Sequence, residues 1–242
     1  MKYSFGIFWR ILAAAAALLA AGIFAAPLGK IAAGKGAKKS FGARSAVFAM
    51  LGGYRQAAAD FVWIKAYLAW ERRDYQKCLA RIELATEIDP ENVLFWNLGA
   101  GIIAYDTPHW FFDSKAASPA IKKSIRRRQA KVALEFLDRG LKANPESRRL
   151  KLDKALIYEK VLGDMPAALA CHKAACDDAA PIYVVRGYAG MLEDCGKPEE
   201  ALNLLRARAD KFDKNHPSYE FYLEHIRHLE NKLKSQKNIL AL

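Results

Sequence analysis

Cysteine, histidine and paired acidic side chains are the groups with which this chain could do covalent or metal chemistry, and their spacing argues against both. Cys78, Cys171, Cys176 and Cys195 form neither a CxxC pair nor a zinc-finger spacing. Cys171 and Cys176 lie five residues apart, which on a helix turns them to different faces. Buried small apolar positions are their expected place; a Cys171–Cys195 disulfide would need an exported domain, and spacing alone does not support it. His225 and His228 share a helix face, but His109, His172 and His216 supply no third ligand. Asp177-Asp178 follows a helix end and reads as a turn. There is no Gly-rich phosphate loop, no GxSxG and no acidic pair in a catalytic setting. The expectation is a non-enzyme with no metal and no cofactor.

The chemistry on offer is recognition. Asp60, Trp63, Tyr67 and Trp70 follow a 3-4-3 spacing that puts them on one helix face. The same register continued along the chain selects Asn97, Asp153, Lys160, Tyr183, Arg186 and Glu193. An aromatic stripe with mixed charge suits an extended peptide or a partner helix, and Trp and Tyr are the usual interface anchors. The competing reading packs these rings against neighbouring segments. A second cluster joins Trp110, Phe111 and Phe112 to Lys122, Lys123, Arg126, Arg127 and Arg128. Aromatic and basic residues together suit an anionic lipid surface or a polyanion; the alternative folds the rings inward and leaves a solvated basic face. The net charge of +12 favours acidic partners, but nucleic acid is not expected, because no recognised module accompanies the charge.

The elements that must position these residues announce themselves by another spacing. Cys78, Ile82, Ala85 and Pro90 set a pattern of small, apolar, small and Pro. Ala133, Leu137, Gly140 and Pro145 repeat it; Ala168, His172, Ala175 and Pro181 repeat it more loosely, and Ala201 with Leu205 begin it again. Over about 51–215 the chain resembles tetratricopeptide (TPR) proteins, in which this is the second helix of a two-helix repeat of roughly 34 residues. Small residues let paired helices approach, and Pro ends the hydrogen-bond ladder. The resemblance implies an all-α helical-hairpin solenoid with units near 54–90, 93–145, 148–180 and 182–212. Phe61, Ile64 and Leu68 form the expected apolar stripe of its first helix. The step from Cys78 to Ala133 is 55 residues, which leaves an insertion near 105–125. After Pro217, Tyr222, Ile226, Leu229 and Leu233 make the single apolar seam of a capping helix over 216–242.

Ahead of the repeats, the stretch between Arg10 and Lys30 carries no charge. It reads as a transmembrane or signal-anchor helix over 1–29, or as a cleaved signal segment, with the anchor preferred. Residues 30–50 then form a basic, flexible tether. Counting flanking charge keeps the repeats in the cytoplasm, whereas a short basic tail before an Ala-rich core exports them; the extracytoplasmic side is preferred. Gly52, Gly53, Ala59, Asp60, Trp63, Ile64 and Ala66 make the chain similar to a family of bacterial proteins with one N-terminal membrane segment followed by TPR repeats. That resemblance implies a single-pass protein of the cytoplasmic membrane, contacting anionic lipid, that scaffolds or recruits a protein or peptide partner in its concave groove. The alternatives are an accessory subunit of a membrane enzyme or secretion apparatus, and a polyanion or lipid-surface binder acting through the insert.

Overall fold

A computed structural model describes residues 54–112 and 118–240. The chain divides into two compact units, Met1–Ala58 and Ala59–Leu242. Of the first, the described part is 54–58, the opening of the first helix.

The helices are α1 (Arg55–Glu71), α2 (Tyr75–Ile88), α3 (Val93–Gly101), α4 (Thr107–Phe111), α5 (Pro119–Ala143), α6 (Arg148–Ile157), α7 (Met165–Ala175), α8 (Ile182–Asp194), α9 (Pro198–Ala209) and α10 (Tyr219–Leu240). Two π-helical turns intervene: π1 (Ile102–Asp106) joins α3 to α4, and π2 (Tyr158–Leu162) prolongs α6. Local chemistry sets the helix starts. Asp74, Asn92, Ser118, Ser147 and Asp164 each accept a backbone N–H from the first turn of the next helix. The ends fall at Asp89-Pro90 and Asn144-Pro145, and at Gly163, whose φ of +70° is the left-handed turn that glycine enters without a side-chain clash.

The packing follows from the small-residue spacing. Cys78, Ile82, Ala85, Ala133, Leu137, Ala168, Ala175, Ala201 and Leu205 are all buried. A Cβ on Gly140 would meet the Trp96 ring at 2.8 Å, and one on Gly99 would meet Ile82 at 2.8 Å and the Phe136 ring at 2.9 Å. Only hydrogen at these two positions lets α3 and α5 come so close. Trp96 is held there by its indole N–H, which donates to the Pro90 carbonyl at 2.8 Å. Successive helices pair as hairpins, and α3 also packs on α6, and α7 on α8, so each hairpin stacks on the next. The product is an all-α, TPR-like solenoid.

Two apolar clusters fill it. One gathers residues from α1 through π2, centred on Ile82, Trp96, Phe136 and Leu137. The other gathers residues of α7 to α10, centred on Val185, Leu205, Tyr222 and Leu229. Ile226 and Leu233 complete the seam by which α10 packs on α9 and α8.

The outcome differs from the sequence reading in two places. No helix among the described residues is long and apolar enough to cross a membrane; the two longest, α5 and α10, are studded with Lys, Arg and Glu. The anchor expected over 1–29 and the tether over 30–50 lie outside the described residues. The resemblance is therefore corrected to a TPR-like solenoid without a demonstrated membrane-spanning or signal-anchor helix, and the inner-membrane location, its sidedness and the lipid contact lose their basis. Second, Phe61, Ile64 and Leu68 are 58%, 56% and 44% exposed. The buried side of α1 is instead Ala59, Ala66 and Ala69, with Trp63 and Trp70 packed against the core. The described residues of the expected insert belong to helices: α3 runs on through π1 and α4 to Phe111, and α5 begins at Pro119.

Candidate partner-binding groove

The first helices of three successive hairpins enclose one cavity of about 520 Å³. Trp63, Tyr67 and Trp70 line it from α1, Asn97 and Leu98 from α3, Tyr105 and Asp106 from π1, and Arg149, Asp153 and Leu156 from α6. Its volume suits one or two side chains of a bound segment.

The aromatic wall is braced by ring stacking. Trp63 stacks on the buried Phe95 with ring centres 4.9 Å apart, and Tyr67 stacks on Trp70 at 5.4 Å. The Trp70 indole N–H donates to Asp106 Oδ2 at 2.7 Å, tying α1 to π1. Opposite, Asn97 donates its amide to Asp153 Oδ2 at 2.8 Å, and Arg149, one helical turn before Asp153, holds Oδ1 at 3.2 Å. Burial pushes the Asp153 carboxyl up, opposed by the Asn97 amide and the Arg149 charge. Burial also raises the Tyr105 phenol, with smaller contributions from the Asp153 and Glu159 charges. The Tyr105 hydroxyl is buried without a hydrogen-bond partner.

Five of the residues on the expected stripe therefore meet in this cavity: Trp63, Tyr67, Trp70, Asn97 and Asp153. The other five do not. Asp60 is exposed one turn before Trp63. Lys160 pairs with its neighbour Glu159 at the surface. Tyr183 is 67% exposed on α8. Arg186 lies over the Phe221 ring of α10 at 6.0 Å, its Nε buried without a partner. Glu193 is a fastening: Lys232 reaches it at 2.5 Å and His225 and His228 at 3.5 Å, which ties α10 to α8. A strict α-helical register missed Tyr105 and Asp106. The π turn adds a residue to the helix turn and rotates every later position about the axis, so spacing counted from α3 points elsewhere. Arg149 could have been found as the partner four residues before Asp153.

The insert residues divide between the fold and its surface. Trp110 packs against the core, Phe111 meets the Tyr75 ring edge-on at 5.2 Å, and Arg126 lies over the Phe112 ring at 5.2 Å. Lys123, Arg127 and Arg128 are exposed on α5, with Lys122 half-buried. No group of three His, Cys, Asp or Glu that could hold a metal occurs among the described residues. Cys78, Cys171, Cys176 and Cys195 are free in this structure.

No protein-family model matches the chain, and no curated protein matches it. Among solved structures it is similar to a thermophilic TPR protein of Thermus thermophilus, at 15% identity and a TM-score of 0.45, over 78% of this chain and 92% of that one. It is also similar to yeast Tom70, at 15% identity and a TM-score of 0.34, over 84% of this chain and 45% of that one. The chain thus spans less than half of Tom70. The solenoid assignment rests on the hairpins of this chain itself.

Proposed function

We propose that the protein is a non-catalytic adaptor that binds a segment of a partner protein in the groove formed by its first helices, with the Trp63–Tyr67–Trp70 pocket as the anchoring point. One observation carries this reading: aromatic and polar residues scattered over 91 positions, Trp63 to Asp153, converge on a single cavity. Trp63, Trp70 and Tyr105 pack on the core cluster and also line the cavity, while Ala66, Ile82, Trp96 and Leu137 fill the core itself. Rigid aromatics that line an open cavity are what binding surfaces use, because they offer contact area at little entropic cost.

Alanine at both Trp63 and Tyr67 removes the wall, and partners recovered with the wild-type protein should be lost while the helical circular dichroism signal is kept. Retention of every partner by this double variant would sink the reading. A second surface, the exposed basic run Lys123, Arg126, Arg127 and Arg128 on α5, would bind acidic partners instead. Salt separates the two: groove binding should survive moderate ionic strength, and binding to the basic run should fall steeply.

A further inference from the structure

The cavity's charge is at odds with the chain's. The chain carries +12, yet the cavity is lined by two carboxylates, Asp106 and Asp153, and one guanidinium, Arg149. The Arg149 side chain is 65% exposed, and among the described residues its ion pair is with Asp153. Asp106 takes the Trp70 indole on one oxygen, and its other oxygen accepts from no described residue. The buried Tyr105 hydroxyl is unpartnered beside them. The site therefore offers an unused carboxylate oxygen, one unbalanced negative charge and three aromatic side chains on α1.

Those properties discriminate among occupants. An anionic group would face two carboxylates against one solvated arginine. A purely apolar group would seal the second Asp106 oxygen away from water with nothing to bond, which costs free energy. A cationic group meets every demand at once: Coulomb attraction, acceptors for its N–H groups, and ring faces that attract positive charge. Burial already works against the ionised Asp153 carboxylate, and a bound cation would relieve that.

We propose that the anchoring side chain of the bound segment is a lysine or arginine, its charged head seated among Trp63, Tyr67 and Trp70 with Asp106 and Asp153 as acceptors. This rests on the groove reading above, and it makes the partner a basic peptide although the chain itself is basic.

The test selects random linear peptides displayed on phage against the full-length chain. Selected peptides are resynthesised with each lysine replaced by norleucine or each arginine by citrulline. Affinities are measured by calorimetry against wild type, Trp63→Ala, Asp106→Asn and Asp153→Asn. Both asparagines keep an acceptor for Trp70 and Asn97; Asp153→Asn also gives up the Arg149 ion pair, so Asp106→Asn is the cleaner removal of charge. The expected result is one indispensable basic residue, at least about tenfold weaker binding when it is neutralised, a comparable loss in either asparagine variant, and no further loss when the two changes are combined. Peptides that need Trp63 but bind equally well when neutralised, or equally well to both asparagine variants, would overturn the cationic anchor and leave the groove standing. Peptides that are all indifferent to Trp63→Ala would overturn the groove and this proposal with it. Should one asparagine variant fail to fold, the other carries the comparison.

Discussion

At the scale of single residues, the molecule is governed by where it can tolerate no side chain. Gly140 lies against the Trp96 ring, and a methyl there would meet it at 2.8 Å, closer than carbon atoms approach. Gly140→Ala should cost about 1–3 kcal/mol, read as a lowered denaturant midpoint with an unchanged slope. Leu137→Ala, at a fully buried position one turn earlier, should cost about 2–5 kcal/mol by leaving a cavity. Cys78 obeys the same logic chemically. Burial pushes its thiol up to about 11, so at mildly alkaline pH it holds almost no thiolate, the reactive form. Alkylation followed by mass spectrometry should leave Cys78 unmodified in the native protein and label it on denaturation. These buried positions were legible in the sequence because small residues recurred at fixed offsets. His172, named at an apolar position of the same pattern, is half-buried; burial lowers its pKa, and its Nδ1 is buried without a partner.

At the scale of elements, α10 shows how a terminal helix is fastened. Its apolar seam supplies most of the attachment, and the Tyr222 hydroxyl donates to the Leu205 carbonyl of α9 at 2.6 Å. Glu193 of α8 adds a polar fastening through Lys232, with His225 and His228 beside it. The Lys232 hydrogen bond is the chief reason the Glu193 carboxyl is held below its ordinary value. A carboxyl depressed in the folded state contributes stability at pH above its unfolded pKa and loses it as pH falls through the carboxylate range to the folded value. Acid should therefore weaken this junction. Glu193→Gln should abolish that part of the pH dependence and cost about 1 kcal/mol at neutral pH, measured as faster amide exchange along α10 above the carboxylate range. The π turns are the other lesson here. Nothing in the local sequence announced π1, because its register shift is settled by how α3, α4 and α5 pack, and it brings Asp106 to Trp70.

At the scale of the whole solenoid, two clusters divide the described core, one through α1 to π2 and one through α7 to α10. In stacked repeats each unit contacts only its neighbours, so damage should stay local. Leu205→Ala, buried in the second cluster, should speed amide exchange in α8 to α10 much more than in α2 and α3; equal loss of protection throughout would refute that locality. The exposed Phe61, Ile64 and Leu68 also belong to this scale. A solenoid helix buries one face on each neighbour, and α1 is the first hairpin helix described, so its outer face has no preceding described hairpin against it.

The sequence by itself determined the repeat. Periodicity, caps and terminal prolines are local properties, written residue by residue, and they specified an all-α hairpin array and the first helices that line its groove. It also singled out Trp63, Tyr67, Trp70, Asn97 and Asp153, because a straight helix obeys its own spacing. Only the tertiary structure decided that these five share a cavity with Tyr105, Asp106 and Arg149. It likewise decided that Lys160, Tyr183, Arg186 and Glu193 lie elsewhere and that the rings of the insert are engaged within the fold. Those outcomes depend on stacking between hairpins and on a register shift inside a helix, and both are set by contacts between residues far apart in the chain.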